Sequence, residues 1–220
     1  QHSLNNQIKY SVETRLRRHD GVYRWWLVRG VPSFDKNGEI YKWFGTCTDI
    51  HDIKQAEETI YGLAYYDPLT GLPNRRLMLD RLKQTLISRT HKTQHGAILF
   101  INLDNFRNLN DAKGHSMGDL LLVAVSKHLQ DAVDEDATVA RIGSDEFVML
   151  LEGVDEATDL AAAQAESVAN RVLTAINQPF DLQGYEYGGS ASIGISLFRG
   201  HKLSVDELVK QADMAMHQAK

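Results

Sequence analysis

Arg141-Ile142-Gly143-Ser144-Asp145-Glu146-Phe147 lies between two apolar runs, Thr138-Val139-Ala140 before it and Phe147-Val148-Met149-Leu150-Leu151 at its end. Strand-like runs joined by Gly-Ser-Asp-Glu predict a β-hairpin with its small and polar residues at the turn. Gly143 lets a ligand come close to the backbone, and the adjacent carboxylates Asp145 and Glu146 form a hard oxygen cluster suited to Mg²⁺. The turn is therefore a candidate site for a metal-bound phosphate. Taken alone, these residues leave open an ordinary polar hairpin tip.

Working outward, Ala97-Ile98-Leu99-Phe100-Ile101 is a continuous apolar run, as expected of a buried central strand. It delivers Asn102, Leu103 and Asp104 to one strand end, with Asn102 and Asp104 on the same face. A helix is expected after Asn74, which is placed to cap it, with Leu77, Leu79, Leu82, Leu86 and Ile87 along its length. A second helix, from Gly118 to Leu129, turns Leu121, Leu122, Val125 and Leu129 inward. An Ala-rich helix covers Ala157 to Ile176 before Pro179; a strand over Asp181 to Tyr187, another over Gly188 to Phe198 and a helix from Val205 to Lys220 complete the chain. The fold class is α+β: helices layered over one mixed sheet of about five strands. His91 and His95 have helical metal spacing, but they flank an apparent loop with no third ligand, which reads as a solvated segment.

The first fifty residues are strand-rich. Tyr10 to Arg18 alternates, His19-Asp20-Gly21 makes a turn, and Tyr23 to Val31 sends Trp25 and Trp26 to opposite faces. Asp35-Lys36-Asn37-Gly38 turns the chain into a strand from Ile40 to Thr48. Trp25, Trp26, Trp43 and Phe44 are expected in a core or interface, with Cys47 as a small apolar filler. Ile53, Ala56, Ile60 and Leu63 then recur at the spacing of a coiled-coil seam, Gln55, Glu57, Glu58 and Thr59 face outward, and Pro68 closes the helix. A helix packed on its own domain is the alternative.

At 220 residues, 43% hydrophobic and 24% charged, the chain has the composition of a globular protein with one sizeable core or two small ones. A net charge of −5 with no Lys/Arg block argues against a nucleic-acid partner. Cys47 is the only cysteine, which rules out an internal disulfide and fits a reducing cytoplasm. No apolar run approaches membrane-spanning length, and Gln1-His2-Ser3 does not begin a signal peptide. The expectation is a cytoplasmic domain cut from a longer polypeptide, with room for a membrane anchor elsewhere in the parent.

Asp67-Pro68-Leu69-Thr70-Gly71-Leu72-Pro73-Asn74-Arg75 resembles the opening signature of the GGDEF (diguanylate cyclase) family. Phe100 to Phe106, Asn110-Asp111 and Gly114-His115-Ser116-Met117-Gly118-Asp119 are similar to its metal and guanine segments; Ser192-Ile193-Gly194-Ile195 and Ala212 to Lys220 are similar to its closing strand and helix. The resemblance covers residues 67–220, a domain shortened at its C-terminal end, and implies a sheet arranged like the palm of polymerases and nucleotide cyclases. It also implies a reaction joining two GTP molecules into c-di-GMP with Mg²⁺ or Mn²⁺, so that two half-sites must face each other. The strands of residues 1–50, ending in Thr48-Asp49-Ile50, resemble the C-terminal half of a PAS domain; residues 51–66 are then a helical linker. The rest of a PAS pocket is missing, so no PAS cofactor is assigned. Linkers of this kind in the family pair as parallel helices, which implies a homodimer through the seam of residues 53–63.

The resemblance implies roles for particular residues. The position of Asn102 is an Asp in the family, which ligates metal together with the backbone carbonyl of the next residue, here Leu103. The acid at Asp145 completes the cage and helps activate the attacking 3′-hydroxyl, with Glu146 beside it as the second catalytic acid. Asn110 and Asp119 match the pair that reads the guanine edge, His115 lies in the same segment, and Leu122 packs on the ring. Phe106, Gly143, Ser144 and Lys220 fall at nucleotide-binding positions, and Arg107 stands where the family has Lys. Two departures matter most: Asn102 keeps an oxygen but no charge, and Ser144 replaces the second glycine, where a positive φ would make its Cβ costly. Asp104 is placed to compensate in part. A product-feedback site in the family uses Arg-x-x-Asp, and Val133-Asp134-Glu135-Asp136 lacks that Arg, so no inhibition through it is expected.

These residues point to a degenerate domain that binds GTP and Mg²⁺ with little or no turnover, relays PAS signals and regulates a downstream EAL phosphodiesterase domain. An active cyclase with Asp104 substituting, and a nucleotide-free dimerisation module, are the alternatives.

Overall fold

Three strands open the chain: β1 (Tyr10–Arg17), β2 (Tyr23–Phe34) and β3 (Ile40–Asp49) form an antiparallel sheet in that order. The computed structural model describes residues 8–88, 93–134, 136–200 and 203–220. The chain divides into two compact units, Gln1–Tyr61 and Gly62–Lys220. In the first unit, Tyr10 pairs with Gly30, and Gly30 with Gly45. A Cβ on Gly30 would stand 2.3 Å from the Tyr10 ring, which instead reaches across the glycine to tilt against Trp43. Trp25, Trp26 and Trp43 are half-buried; Phe44 is exposed and so lies outside the core, and Cys47 is exposed, against the expectation that it is an apolar filler. The alternation that sorts residues between faces is present; among the described residues of this unit, no second layer covers those two side chains. Arg24 ties the sheet to the following helix through Asp49 and Asp52, each at 2.7 Å.

Helix α1 (His51–Tyr65) buries none of its residues, and Ile53, Ile60 and Leu63 are all more than half exposed. The alternative in which this helix packs its seam on its own domain is thereby overturned.

The second unit contains α2 (Arg75–Ser88), β4 (Gly96–Leu103), α3 (Phe106–Lys113), α4 (His115–Asp131), β5 (Thr138–Arg141) and β6 (Glu146–Leu151). These are followed by α5 (Thr158–Ile176), β7 (Phe180–Leu182), β8 (Tyr185–Tyr187), β9 (Ala191–Phe198) and α6 (Val205–Ala219). Asn74 caps α2 as expected, its Oδ1 accepting from the Leu77 amide at 3.1 Å. Every residue of β4 is buried, and alternate residues feed different cores. Ala97, Leu99, Ile101 and Leu103 meet residues of α3, α4 and α5, whereas Ile98 and Phe100 meet residues of α2 and α6. A strand covered on both faces must be apolar throughout, which is why the run was legible.

The α+β class holds, but the sheet corrects the strand count. It has four strands in the order β5-β6-β4-β9, and every neighbouring pair is antiparallel. The stretch expected to add a single strand folds back as the separate β7–β8 ribbon, with Gln183 and Gly184 both at positive φ (57° and 87°). His91 lies outside the described residues; His95 is buried, and its amide and Nδ1 both meet the Asp155 carbonyl at 3.1 Å. No helix among the described residues is long and apolar enough to cross a membrane.

Helix α6 packs tightly on β9 at Gly194, where a Cβ would stand 2.1 Å from both the Ala212 carbonyl oxygen and the Met216 amide nitrogen. Gly194→Ala should therefore lower stability by about 1–3 kcal/mol through overpacking. Gly188→Ala, with nothing within 4 Å of the added carbon, should leave the thermal midpoint nearly unchanged. Calorimetric melting of the two variants checks this contrast.

Candidate functional site

The register of the sheet builds the site. β4 pairs Asn102 with Glu146 on one side and with Ser192 on the other, and the Leu103 amide donates to the Asp145 carbonyl at 3.0 Å. The central strand therefore ends where the hairpin turn begins. A cavity of about 690 Å³ opens there, and Asn102, Leu103, Asp145, Phe106, Arg107 and Lys220 are among its lining residues. Of the predicted metal residues, all three line this one cavity. Asn102 and Phe106 are both buried, while the Arg107 side chain is almost fully exposed with Asp111 at 3.9 Å.

Asp104 lines the cavity too, and each of its oxygens accepts one hydrogen bond. Ser190 donates to Oδ2 and Ser192 to Oδ1, each at 2.9 Å. These serines were the part of the site that the sequence reading missed; polar residues alternating into the start of an otherwise apolar strand were the available signal.

The turn is held from outside. Arg141 Nη1 donates to both oxygens of Asp67, at 3.0 and 3.2 Å, and Nη2 donates to the Ser144 carbonyl at 2.9 Å. Burial pushes the Asp67 carboxyl upward, but hydrogen bonds from the Thr70 hydroxyl and amide and from Arg141 outweigh it and hold the group below its ordinary value. Neither Gly143 nor Ser144 has a positive φ, so the backbone strain foreseen at Ser144 does not arise. An added Cβ on Gly143 would lie 2.4 Å from Glu146 Oε2, the end of a flexible side chain that would have to move aside. Glu146 is raised above its ordinary value by burial first, then by Asp145 and Asp213, with Arg75 and Lys220 acting in the opposite direction. Ser144 donates to Asp145 Oδ1 at 2.7 Å.

The residues expected to read guanine are not among those lining the cavity. Asn110 Oδ1 is buried without a hydrogen-bond partner and lies against Gly118, where a Cβ would approach to 2.0 Å. An unsatisfied buried acceptor is costly. Asp119 and His115 are exposed on the first turns of α4. Leu122 is only 2% exposed and belongs to the core, so it offers no open surface to a ring, contrary to the sequence expectation. Helical rotation turns it inward with Leu121, Val125 and Leu129.

One amide oxygen, one backbone carbonyl and one carboxylate suit a Mg²⁺ that arrives on phosphate oxygens and keeps some water. They do not suit a bare ion, and among the described residues no three His, Cys, Asp or Glu side chains converge for metal. In the feedback stretch, Asp134 and Asp136 border a separate cavity of about 310 Å³; Glu135 lies outside the described residues. The arginine in that cavity, Arg171, comes from α5 and donates through Nε to the Ala132 carbonyl at 3.2 Å.

Comparison with known proteins gives a consistent picture. The family model described as diguanylate cyclase, GGDEF domain, matches residues 64–220, and the one described as PAS fold matches residues 1–47. MucR of Pseudomonas aeruginosa, a bifunctional diguanylate cyclase/cyclic di-GMP phosphodiesterase by name, is 39% identical over 168 residues, 76% of this chain and 24% of that protein. PdeR of Escherichia coli, a cyclic di-GMP phosphodiesterase by name, is 36% identical over 173 residues, 79% of this chain and 25% of that protein. The chain thus spans about a quarter of these relatives. The solved GGDEF domain of TpbB (YfiN) from Pseudomonas aeruginosa superimposes with a TM-score of 0.66 at 34% identity, covering 71% of this chain and 88% of that one.

Because the folded Asp67 carboxyl lies below its ordinary 3.8, its pairing contributes stability above that value, which is lost as pH falls through the folded value. Asp67→Asn should cost about 1–3 kcal/mol at neutral pH. The gap to the parent chain should close in acid, once both side chains are neutral. Urea unfolding across that range measures it.

Proposed function

This chain belongs to the GGDEF family, and on that premise we propose that it is a degenerate c-di-GMP signalling domain. It binds GTP with Mg²⁺ or Mn²⁺ and has little or no cyclase turnover. The observation that carries this reading is the state of the acids at the strand end. Asn102 is neutral, and the Asp104 carboxylate accepts from two serines. Asp145 is the one carboxylate among the three predicted metal residues, enough to help hold a cation delivered on phosphates and too little for a second, catalytic one. Asn102, Leu103 and Asp145 would hold the metal, which when bound supplies charge neutralisation at the phosphates. Lys220, Arg107 and the Gly143-Ser144 turn would meet the phosphates, with Phe106 behind them. Asn110 and Asp119 would read the base, with His115 alongside, and Glu146 would be the second acid of the turn.

The remaining organisation follows the same premise. Residues 1–50 act as part of a PAS sensory module, residues 51–66 as the linker and residues 67–220 as the GGDEF domain. The uncovered Ile53, Ile60 and Leu63 face supports pairing of two copies, which would bring two half-sites together. The names of MucR and PdeR support a downstream phosphodiesterase domain as the regulated partner, in a cytoplasmic part of the parent protein.

Calorimetry with GTP and Mg²⁺ should give heat that disappears in Asn110→Ala/Asp119→Ala, while chromatography of the same mixture shows no c-di-GMP. Asn102→Asp should raise product formation by about tenfold or more, the usual scale for a metal-site change. Brisk synthesis by the unmodified chain would leave it an active cyclase; absence of heat would leave a nucleotide-free module. Ile60→Glu/Leu63→Glu should convert a dimer to a monomer in sedimentation analysis.

A further inference from the structure

Ser144 occupies the position of the signature's second glycine, yet its backbone needs no glycine, since its φ lies outside the left-handed region. Its main chain is fixed by Arg141, which donates to the Ser144 carbonyl at 2.9 Å while anchored on Asp67. That leaves the hydroxyl on a fixed base, and it donates to Asp145 Oδ1 at 2.7 Å. A carboxylate at a hairpin tip otherwise rotates freely, and freezing its torsions on binding costs entropy. A hydrogen bond made beforehand removes part of that cost. It also occupies one oxygen and leaves Oδ2 for a cation, in keeping with the monodentate carboxylates that Mg²⁺ favours.

We propose that Ser144 is a positioning residue that holds Asp145 for the phosphate-bound cation and, by pre-organising it, offsets part of the cation affinity lost at Asn102. The proposal rests on the reading that this chain binds Mg·GTP. Hydrogen bonds behind a metal ligand orient it, and their loss usually weakens metal binding by about 10–100-fold. The hydroxyl would then matter more here than in a site with two ligand acids, where a second carboxylate shares the load.

The test titrates MnCl₂ into the full chain with GTP, following bound Mn²⁺ by electron paramagnetic resonance. GTP binding is measured in parallel by calorimetry in EDTA. Ser144→Ala and Ser144→Gly should each weaken Mn²⁺ binding about tenfold, and Ser144→Thr, which keeps the donor, should stay within about twofold of the parent. Because the turn also borders the phosphates, metal-free GTP binding should weaken in the Ala and Gly variants by clearly less than Mn²⁺ binding does. In an Asn102→Asp background the loss from Ser144→Ala should shrink. Unchanged or tighter Mn²⁺ binding in the Ala and Gly variants overturns the proposal. So does an equal loss of GTP affinity in EDTA, because the hydroxyl would then act on the phosphates. No GTP binding with or without Mn²⁺ overturns the underlying reading instead.

Discussion

Arg141 makes the contact on which the site depends. Its guanidinium spans the space between Asp67, just beyond the end of α1, and the carbonyl of Ser144 in the hairpin turn. Arginine suits this position because its planar fork satisfies a carboxylate and a carbonyl at once, which a lysine ammonium does less well. The pair is largely buried, with side-chain exposures of 14% and 18%, so it is screened by solvent less than a surface ion pair. Holding the turn fixes the direction in which Asp145 leaves the backbone, and the Leu103–Asp145 hydrogen bond joins that turn to the end of the central strand. The segment that follows the linker helix and the segment that carries the acids are thus mechanically one piece.

The chemistry of the site follows from where charge is retained and where it is not. The turn keeps both acids, and burial among Asp145 and Asp213 makes Glu146 harder to ionise. The strand end carries an amide, Asn102, and its neighbouring acid, Asp104, accepts from Ser190 just before β9 and from Ser192 within it. A site so arranged has donors and shape for a nucleotide but a shortage of negative charge for cations. On the proposed reading, such a domain reports nucleotide occupancy more than it turns nucleotide over.

Most of this was legible in the chain because local physics decided it. The hairpin announced itself by small residues between apolar runs, β4 by being apolar on both faces, and α2 by the Asn74 cap. The apolar spacing of α1 was visible too, and among the described residues this helix buries none of its side chains. What the sequence did not disclose depends on distant partners. The serines that engage Asp104 lie 86 and 88 positions away, and no local pattern couples them. The β7–β8 ribbon hinged on one left-handed glutamine followed by glycine, a weak signal beside the strand-forming residues around it. Leu122 turned inward because helical phase outranks a motif position, and Cys47 stayed exposed because period-two alternation sorts faces without saying whether either is covered.

The central claim is a count of cations. Crystals of the chain grown with a non-hydrolysable GTP analogue and Mn²⁺, examined by anomalous scattering at the manganese edge, measure it directly. The account expects one manganese per site, on the phosphates beside Asp145 and the Leu103 carbonyl. Two fully occupied manganese ions bridging Asn102 and Asp145 would contradict it.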